Sequence, residues 1–349
     1  MSRFIAALLA LSFQTTLARA QEPAAADPTA TPAPAPTVTP TAIPEPPPLP
    51  GKGLAQHPFL YCGEWDTRRP GETMYVVRDG KITWSYTISD KEEYGDCHML
   101  SNGNIVFSRK TGASEVTPDK KIIWNYDAPP GTEVHTTQPL GKDRVMIVQN
   151  GIPAKLMVIE KESGKVEKEL LLDTKNPEDP KSVHGQFRRA RVTKEGTFLV
   201  GHLNKGEVVE YDKDGKKLWS VPAPSVWSVV RLKNGNTLIG GNQNGYVREV
   251  NPKGEIVWEL NKDDLPGYPL YVVQEVSRLE NGNTLIGNWS GFIRDKSQWN
   301  NVVQILEVTP DKKVVWGLRE WRDPNDLGPA SAIQLLDEKG NDEDGDLQR

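Results

Sequence analysis

The sequence has little of what usually builds redox centres, membrane spans or nucleic-acid surfaces. Its 349 residues include two cysteines, Cys62 and Cys97, which leaves open one disulfide or two free thiols. No stretch approaches the roughly 20 consecutive apolar residues that a membrane-spanning helix needs. The formal net charge of −5 is unlike that of a general nucleic-acid binder, which carries a basic surface. We therefore predict a chain that neither spans a membrane nor binds nucleic acid.

The N-terminus is typical of a signal peptide. Arg3 supplies a positive start, residues 4–13 form a short apolar run, and Ala18-Arg19-Ala20 offers the small residues of a cleavage site. No cysteine follows the apolar run to accept a lipid. We expect cleavage after Ala20 and a mature protein that is periplasmic or secreted.

The next segment, residues 21–50, consists largely of proline, alanine and threonine. Proline fixes φ and removes backbone donors, and the segment offers little to bury, so it should form an extended linker. The predicted organisation is a signal peptide at 1–20, this linker at 21–50, a globular domain at 51–338 and an acidic tail at 339–349. The tail is expected to be solvated.

The globular part lacks helical periodicity but contains a repeated sequence motif. The motif is LSNGNIV from Leu100, LKNGNTL from Leu232 and LENGNTL from Leu279, and degenerate copies lie at 140–146 and 193–199. Asn-Gly between two short β-prone runs predicts a hairpin, because both residues tolerate the positive φ of a tight turn. The turn positions are 40, 53, 39 and 47 residues apart and comprise Gly103, Asp143, Gly196, Gly235 and Gly282.

Each unit ends with a second motif. This motif is a polar turn followed by a strand that ends in tryptophan. It ends at Trp84, Trp124, Trp219, Trp258 and Trp316, with an eroded copy at 165–170. Each unit therefore reads as four antiparallel strands, and six units predict an all-β, six-bladed β-propeller. The first unit lacks an inner strand, and residues 331–336 look like that strand standing alone. We predict that this C-terminal strand joins the N-terminal blade, which closes the ring and removes an open sheet edge.

The sequence of the repeats resembles the tryptophan-docked repeats of quinoprotein-type (PQQ-like) propellers. Asp96-Cys97-His98 and RLKNGNTL from Arg231 are also similar to arylsulfotransferase-like propellers, which are six-bladed and exported. The resemblance covers residues 59–338. Quinoprotein dehydrogenases imply eight blades, a calcium site and adjacent cysteines over the quinone. The sequence shows none of these features, so we predict no quinone and no other cofactor.

The innermost strand of each blade lines the axis of a propeller, and the turn positions align these strands. Eight residues before the turn are Gly95, His135, Arg188, Trp227, Gln274 and Ser331. Seven before it are Asp96, Thr136, Arg189, Ser228, Glu275 and Ala332. Six before it is a mostly apolar layer of Cys97, Thr137, Ala190, Val229, Val276 and Ile333. Five before it are His98, Gln138, Arg191, Val230, Ser277 and Gln334. We predict a wet, polar axial funnel.

Two interpretations of this lining are open. In the first, Arg189 and Arg191 pair with Glu275 and Asp96 and hold the blades together. In the second, the funnel binds a small polar, anionic or carbohydrate-like ligand, because a guanidinium group suits carboxylate or sulfate oxygens and a tryptophan ring suits a sugar or an aryl group. The predicted ligand-binding residues are Asp96, His184, Arg188, Trp227, Gln274, Glu275 and Gln334.

The arylsulfotransferase resemblance implies an enzyme alternative, with a sulfated, glycosidic or lactone-type substrate. His98 would then be the nucleophile, and His135, Arg189 and Arg191 would neutralise the transferred group. The chain has a proline-rich linker where those enzymes carry an extra N-terminal domain. A metal site at the three histidines His98, His135 and His184 is a further alternative, without a short spacing such as His-x-x-x-His to support it. Our leading prediction is a non-catalytic binding protein without a bound metal.

The sixth unit carries an insertion, residues 288–301, that contains Trp289, Phe292 and Trp299. Exposed aromatic residues on a loop often mark a contact surface, which makes this loop a candidate site for an envelope protein. A packed Ω-like loop is the alternative. Otherwise we predict a monomer.

Overall fold

The computed structural model describes residues 48–89, 91–241 and 245–346. The predicted signal peptide and residues 21–47 of the linker lie outside the described residues. The described part forms six four-stranded antiparallel sheets arranged as blades, which confirms the prediction of a six-bladed β-propeller. No helix of this part is long and apolar enough to cross a membrane.

The first three blades follow one another along the chain. Blade 1 contains β1 (Phe59–Gly63), β2 (Glu72–Arg78) and β3 (Lys81–Ile88). Blade 2 contains β4 (Tyr94–Met99), β5 (Ile105–Arg109), β6 (Gly112–Val116) and β7 (Ile122–Asp127). Blade 3 contains β8 (Glu133–Leu140), β9 (Arg144–Asn150), β10 (Ala154–Glu160) and β11 (Val166–Leu172).

The last three blades repeat the pattern. Blade 4 contains β12 (Phe187–Val192), β13 (Phe198–His202), β14 (Glu207–Tyr211) and β15 (Lys217–Pro222). Blade 5 contains β16 (Val226–Arg231), β17 (Thr237–Gly241), β18 (Tyr246–Val250) and β19 (Ile256–Leu260). Blade 6 contains β20 (Val272–Arg278), β21 (Thr284–Trp289), β22 (Ile305–Val308) and β23 (Val314–Leu318). Strand β24 (Ala330–Leu335) follows, and short 3-10 helices span Gly53–Ala55, Pro180–Gly185, Lys296–Asn301 and Asp342–Asp344.

Strand β24 closes the ring as the sequence predicts. It pairs antiparallel with β1, with Ile333 opposite Tyr61 and Gln334 opposite Leu60. It thereby becomes the innermost strand of blade 1, so the first blade combines the two ends of the propeller.

The tryptophans of the closing strands join neighbouring blades. Each of three indoles donates to the carbonyl of a turn proline in the next blade: Trp84 to Pro118 at 2.7 Å, Trp219 to Pro252 at 3.0 Å and Trp258 to Pro310 at 2.9 Å. Trp316 donates in the same way to Gly53, at 3.0 Å, across the closing point of the ring. Blade 3 is the eroded unit, because it has neither the tryptophan nor the proline.

The apolar core lies between the blades. The layer six residues before the turn belongs to this core and does not line the axis, because Cys97, Ala190, Val229, Val276 and Ile333 each pack into an inter-blade cluster. Cys62 and Cys97 are buried in one of these clusters as free thiols, and burial raises the pKa of Cys97 well above its usual value.

Part of the acidic tail is packed against the propeller, so the expectation of a solvated tail is wrong for Asp342 and Glu343. The side chains of Asp342 and Glu343 are buried. Asp342 contacts His98 Nδ1 at 2.7 Å, and the Glu343 carbonyl accepts a hydrogen bond of 2.8 Å from Gly141 N. The Glu343 carboxylate accepts hydrogen bonds from Ser101 N at 3.0 and 3.1 Å, so both carboxylates are bound by the propeller rather than solvated.

Candidate functional site

In every blade the ladder between the innermost strand and its neighbour is irregular at the same point. The pairing skips the residue eight positions before the turn, as at His135 between Val134 and Thr136 and at Trp227 between Val226 and Ser228. Similar shifts occur in the other four blades. A bulge redirects a side chain that a regular strand would point at the neighbouring blade. Residues in two consecutive layers therefore face the axis.

We name the two ends of the axis by the direction of the innermost strands. The upper mouth, where these strands begin, is formed by Glu64, Glu93, Glu133, His135, His184, Arg188, Trp227 and Gln274. The lower mouth, where they end, is formed by His98, Gln138, Arg191 and Gln334. The predicted site residues are thus divided between two ends rather than gathered in one funnel.

Glu133 holds the two histidines of the upper mouth together. Its Oε2 atom accepts hydrogen bonds from His135 Nε2 at 2.9 Å and from His184 Nδ1 at 2.8 Å. Burial and the nearby Arg188 charge lower the pKa of His135 to about 3, so this imidazole is neutral near pH 7. Burial opposes ionisation of Glu133, but the hydrogen bonds from both histidines outweigh it and lower the pKa of this carboxyl group.

Local structure explains how these histidines meet. His135 is the third residue of β8, and its carbonyl oxygen lies close to Gly95 of the neighbouring blade. A Cβ atom on residue 95 would lie only 2.2 Å from this oxygen, so the close approach requires glycine at this position. His184 lies in the 3-10 helix Pro180–Gly185, whose start is capped by Asp179 Oδ1 accepting from Lys181 N at 3.0 Å. The helix holds His184 over the axis with 49% of its side chain exposed.

Arg188 and Trp227 continue the upper mouth on blades 4 and 5. The guanidinium carbon lies 4.6 Å from the indole centroid, within cation–π range. Arg188 Nη2 donates to His184 Nε2 at 2.9 Å. Arg188 Nε, Trp227 Nε1 and Gln274 Oε1 are buried and, within the described part of the chain, have no hydrogen-bond partner. Unpaired buried polar atoms are costly, and three of them on adjacent blades indicate a place for a ligand or water.

Two further carboxyl groups complete the upper mouth. Glu64 follows β1 and accepts hydrogen bonds from Ser331 Oγ at 3.0 Å and from Gln274 Nε2 at 3.4 Å. Burial, together with the charge of Glu93, raises the pKa of Glu64 to about 8. Lys110 Nζ is 3.6 Å from Glu93 Oε1 and 3.8 Å from Glu133 Oε1, where it offsets part of this negative charge.

Below the upper mouth, Arg189 fills the axis. Its side chain is 0% exposed and its Nη2 donates to Glu275 Oε2 at 3.2 Å and to the Ser331 carbonyl at 3.3 Å. Asp96 Oδ1 lies 3.7 Å from Arg189 Nε. Arg191 pairs with Asp96 at 2.7 Å, so both ion pairs of the first interpretation are present. At this level of the predicted wet, polar funnel the guanidinium group of Arg189 occupies the axis, and these residues do not fit a quinone there.

The lower mouth is covered by the acidic tail. His98 Nδ1 contacts Asp342 at 2.7 Å, and His98 Nε2 donates to the Thr137 carbonyl at 2.8 Å and lies 3.2 Å from Asp96. Burial opposes protonation of His98, but Asp96 and Asp342 outweigh it and raise its pKa to about 9. An imidazolium carries a proton on each ring nitrogen and therefore has no free lone pair for nucleophilic attack. Gln334 is also engaged, accepting from Met99 N at 2.7 Å.

Beside the tail lies a cavity of about 1030 Å3, away from the upper mouth. Basic side chains line it, but they have acidic neighbours: Arg191 pairs with Asp96, Arg231 with Glu210 and Lys233 with Asp346. Glu343 and Asp346 of the tail form one wall. The charges of this cavity are therefore already largely compensated within the chain.

The 288–301 insertion is mainly packed, which favours the Ω-like alternative for its tryptophans. Trp299 is buried against Trp321, and Trp289 is buried with its Nε1 donating to the Glu64 carbonyl at 3.1 Å. Phe292 differs, with 57% of its surface exposed. Trp65 is 48% exposed beside the same Glu64. These two aromatic rings form an exposed rim next to the upper mouth.

Three carboxyl groups of the site were missed by the sequence analysis. Glu93 and Glu133 both stand ten residues before their turn positions, Gly103 and Asp143, so the same alignment extended by two residues would have found them. Glu64 follows the second strand of blade 1, and no turn alignment of the innermost strands points to it.

Comparisons with known proteins agree with the fold. A crystal structure of a protein of unknown function from Bacteroides caccae is 26% identical, with a TM-score of 0.69, and the match covers 79% of this chain and 98% of that one. A catalytically inactive virginiamycin B lyase from Staphylococcus aureus, solved with quinupristin, shares the fold at 12% identity and a TM-score of 0.51, over 73% and 87% of the two chains. No curated protein matches significantly in sequence.

One family model covers more than half of the sequence. It is PQQ_2, described as outer membrane protein assembly factor BamB, and it matches residues 78–267. This range runs from the last strands of blade 1 to the loop before blade 6 and so includes three of the four docking tryptophans, Trp84, Trp219 and Trp258. The chain therefore belongs to this family of PQQ-like β-propeller repeat proteins.

Proposed function

We propose that the protein is an exported, non-catalytic binding protein that takes a small polar ligand at the upper mouth. The observation that carries this proposal is the set of three unpaired buried atoms on adjacent blades. Arg188 Nε and Trp227 Nε1 are donors and Gln274 Oε1 is an acceptor. A ligand with both acceptor and donor groups would satisfy all three.

The surroundings of these atoms narrow the class of ligand. Three carboxyl groups lie on blades 1 to 3 of the upper mouth, and Arg188, Trp227 and Gln274 lie on blades 4 to 6, which suits a polar molecule with several hydroxyl, amide or carboxylate groups. Trp65 and Phe292 offer exposed rings at the rim, and such rings pack well against the apolar face of a sugar or an aryl group. A carbohydrate-like or aryl-bearing polar ligand therefore fits best.

The enzyme alternative has less support. His98 and His135 lie at opposite ends of the axis with Arg189 between them, and both nitrogens of His98 have partners. The nucleophile and its proposed helper are thus not brought together. We retain binding as the proposed function.

A ligand screen by thermal unfolding tests this proposal. We would measure the melting temperature of the full chain with a panel of mono- and oligosaccharides, amino sugars and aryl glycosides. A bound compound at 100 times its dissociation constant adds about 2.7 kcal/mol of stability, which raises the melting temperature of a domain of this size by about 5 °C. Trp227→Phe removes the indole N–H and should abolish that rise.

Trp84→Phe is the matched control, because Trp84 also donates one hydrogen bond but lies at the perimeter. It should lower stability without changing the shift caused by the compound. If Trp227→Phe responds to the same compound as strongly as the wild type, the upper mouth is not the binding site.

A protein partner is the second candidate. The family model is described as an assembly factor of outer membrane proteins, and the exposed rim of Trp65 and Phe292 offers a small aromatic contact surface. Under this proposal, Phe292→Ser abolishes capture of an envelope protein, whereas substitutions of the buried Trp289 or Trp299 act through folding.

Export is part of the proposal and has its own test. We expect the mature protein to begin at Gln21, because Ala18 and Ala20 supply the small residues before the cleavage point. The intact mass of the protein purified from the producing cells' envelope or medium measures this directly. Replacing Ala18 and Ala20 with leucine should leave the chain uncleaved. Recovery of wild-type protein from the envelope or medium that still starts at Met1 would refute the assignment.

A further inference from the structure

Glu93, His135 and His184 form a compact cluster of metal-ligand atoms. One atom from each side chain lies within 4.8 Å of the others, and the side chains of Glu93 and His135 are buried. The three residues come from three different blades or their entry loops, so the propeller fold and not local sequence brings them together. Two imidazoles and one carboxylate are a common ligand set for zinc in proteins that keep a fourth position open.

We propose that this cluster binds one divalent transition-metal ion, with zinc as its representative, and presents an open coordination position to the ligand of the upper mouth. The proposal rests on the proposed function only in this last respect. Imidazole nitrogens suit zinc, copper and nickel better than calcium or magnesium, which prefer oxygen ligands.

Glu133 prepares both histidines for this role. It accepts hydrogen bonds from His135 Nε2 and His184 Nδ1, which places the proton of each ring on those nitrogens. The lone pairs are then left on His135 Nδ1 and His184 Nε2. A carboxylate that fixes the tautomer of a ligating histidine and raises its basicity is the usual outer partner of such a site.

The carboxylate of the cluster has only a loosely held cation beside it. Glu93 and Glu133 carry the negative charge of the upper mouth, because the raised pKa of Glu64, about 8, leaves that group mainly neutral near pH 7. The cations beside these three groups are Lys110, Arg188 and Arg189. Lys110 Nζ stays 3.6 Å from Glu93 Oε1, beyond normal hydrogen-bond length. A metal ion at Glu93 would therefore neutralise a carboxylate that Lys110 contacts only at long distance.

One contact must change for the ion to bind. Arg188 Nη2 donates to His184 Nε2, the nitrogen that would ligate the metal. Arg188 keeps its bond to the Phe187 carbonyl, at 3.0 Å, and its contact with the Trp227 ring when this hydrogen bond is released. Arg188 and the metal are thus alternative partners of one lone pair.

Zinc titration of the tag-free full chain tests the proposal. After treatment with a chelator and desalting, isothermal titration calorimetry with zinc chloride should show one site per chain with a micromolar or lower dissociation constant. His184→Gln removes a ligand on an exposed side chain and should weaken binding at least 100-fold. His57→Gln is the matched control, because His57 also lies between two carboxylates, Glu307 and Asp337, but outside the cluster.

A cobalt titration gives an independent readout, because a cobalt(II) ion bound by nitrogen and oxygen ligands absorbs visible light. The absorbance bands that appear on titration of the wild type should be absent from His184→Gln. Trp227→Phe should bind zinc like the wild type, which separates the metal from the ligand proposal. If wild type takes up no zinc, or if His184→Gln binds it unchanged, the metal proposal is wrong, whatever the ligand screen shows. Zinc uptake without any ligand response would instead leave the metal site standing and count against the proposed function.

Discussion

Replacing Arg189 with methionine should lower the free energy of unfolding by about 3–5 kcal/mol. The guanidinium group is fully buried on the axis between Glu275 and Asp96, and its removal leaves the Glu275 carboxylate without its cation, whereas Asp96 keeps Arg191. Uncompensated buried charge is among the largest single-residue effects on stability. Urea unfolding followed by tryptophan fluorescence measures the change.

The same cation at the perimeter provides the control. Arg248→Met breaks an ion pair with Glu259 that is about one quarter exposed, and it should cost less than about 1 kcal/mol. Combining Arg189→Met with Glu275→Gln should recover part of the loss, because one unpaired carboxylate is removed. A loss below 1 kcal/mol for Arg189→Met would mean that the ion pairs do not hold the axis together.

The second large effect concerns pH. The folded protein raises the pKa of His98 to about 9 from an ordinary value of 6.5, so His98 binds a proton more tightly in the folded state. Its contribution to stability, about 3 kcal/mol, is complete below pH 6.5 and is lost as the pH rises to 9. We expect the free energy of unfolding to fall through this range, and His98→Gln should flatten the fall.

Glu64 acts in the same direction at lower pH. Its folded-state pKa of about 8 lies above the ordinary 4.5, so stability also falls as the pH rises from 4.5 to 8. Above pH 8 the remaining fall comes from His98 and from the buried Cys97 thiol, whose pKa is also raised, and only the His98 part is removed by His98→Gln. Asp342→Asn keeps the histidine but removes one of its carboxylates, and it should move the fall to lower pH. Superimposable profiles for wild type and His98→Gln would contradict this account.

The fold was predictable because its signals are local. Positive φ angles occur at the predicted turn glycines Gly103, Gly196, Gly235 and Gly282. The tryptophan of the outermost strand marks each docking point, but the prediction that it ends the strand is wrong, because each of these strands continues for at least two residues beyond it. In blade 3 the turn lost its Asn-Gly pair, and Gly141 takes the positive φ instead of the predicted position Asp143. The strand order survives such erosion because the apolar pattern of the strands persists.

The candidate site was only partly predictable because its signals are long-range. The alignment found His135, Arg188, Trp227 and Gln274, which are the bulged residues of their strands. It could not show that Arg189 crosses the axis, since that depends on how far a long side chain reaches. The contact between His98 and Asp342 joins residues 244 positions apart and has no motif.

The position of β24 has a consequence for how the protein folds. Blade 1 has its three outer strands near the start of the domain, but its innermost strand is the last strand of the chain. Until residue 335 is available, β1 presents an unpaired edge and Glu64 lacks the Ser331 hydroxyl that it contacts. The five complete blades can therefore form in order during synthesis, whereas the ring and the upper mouth are completed together in a final step.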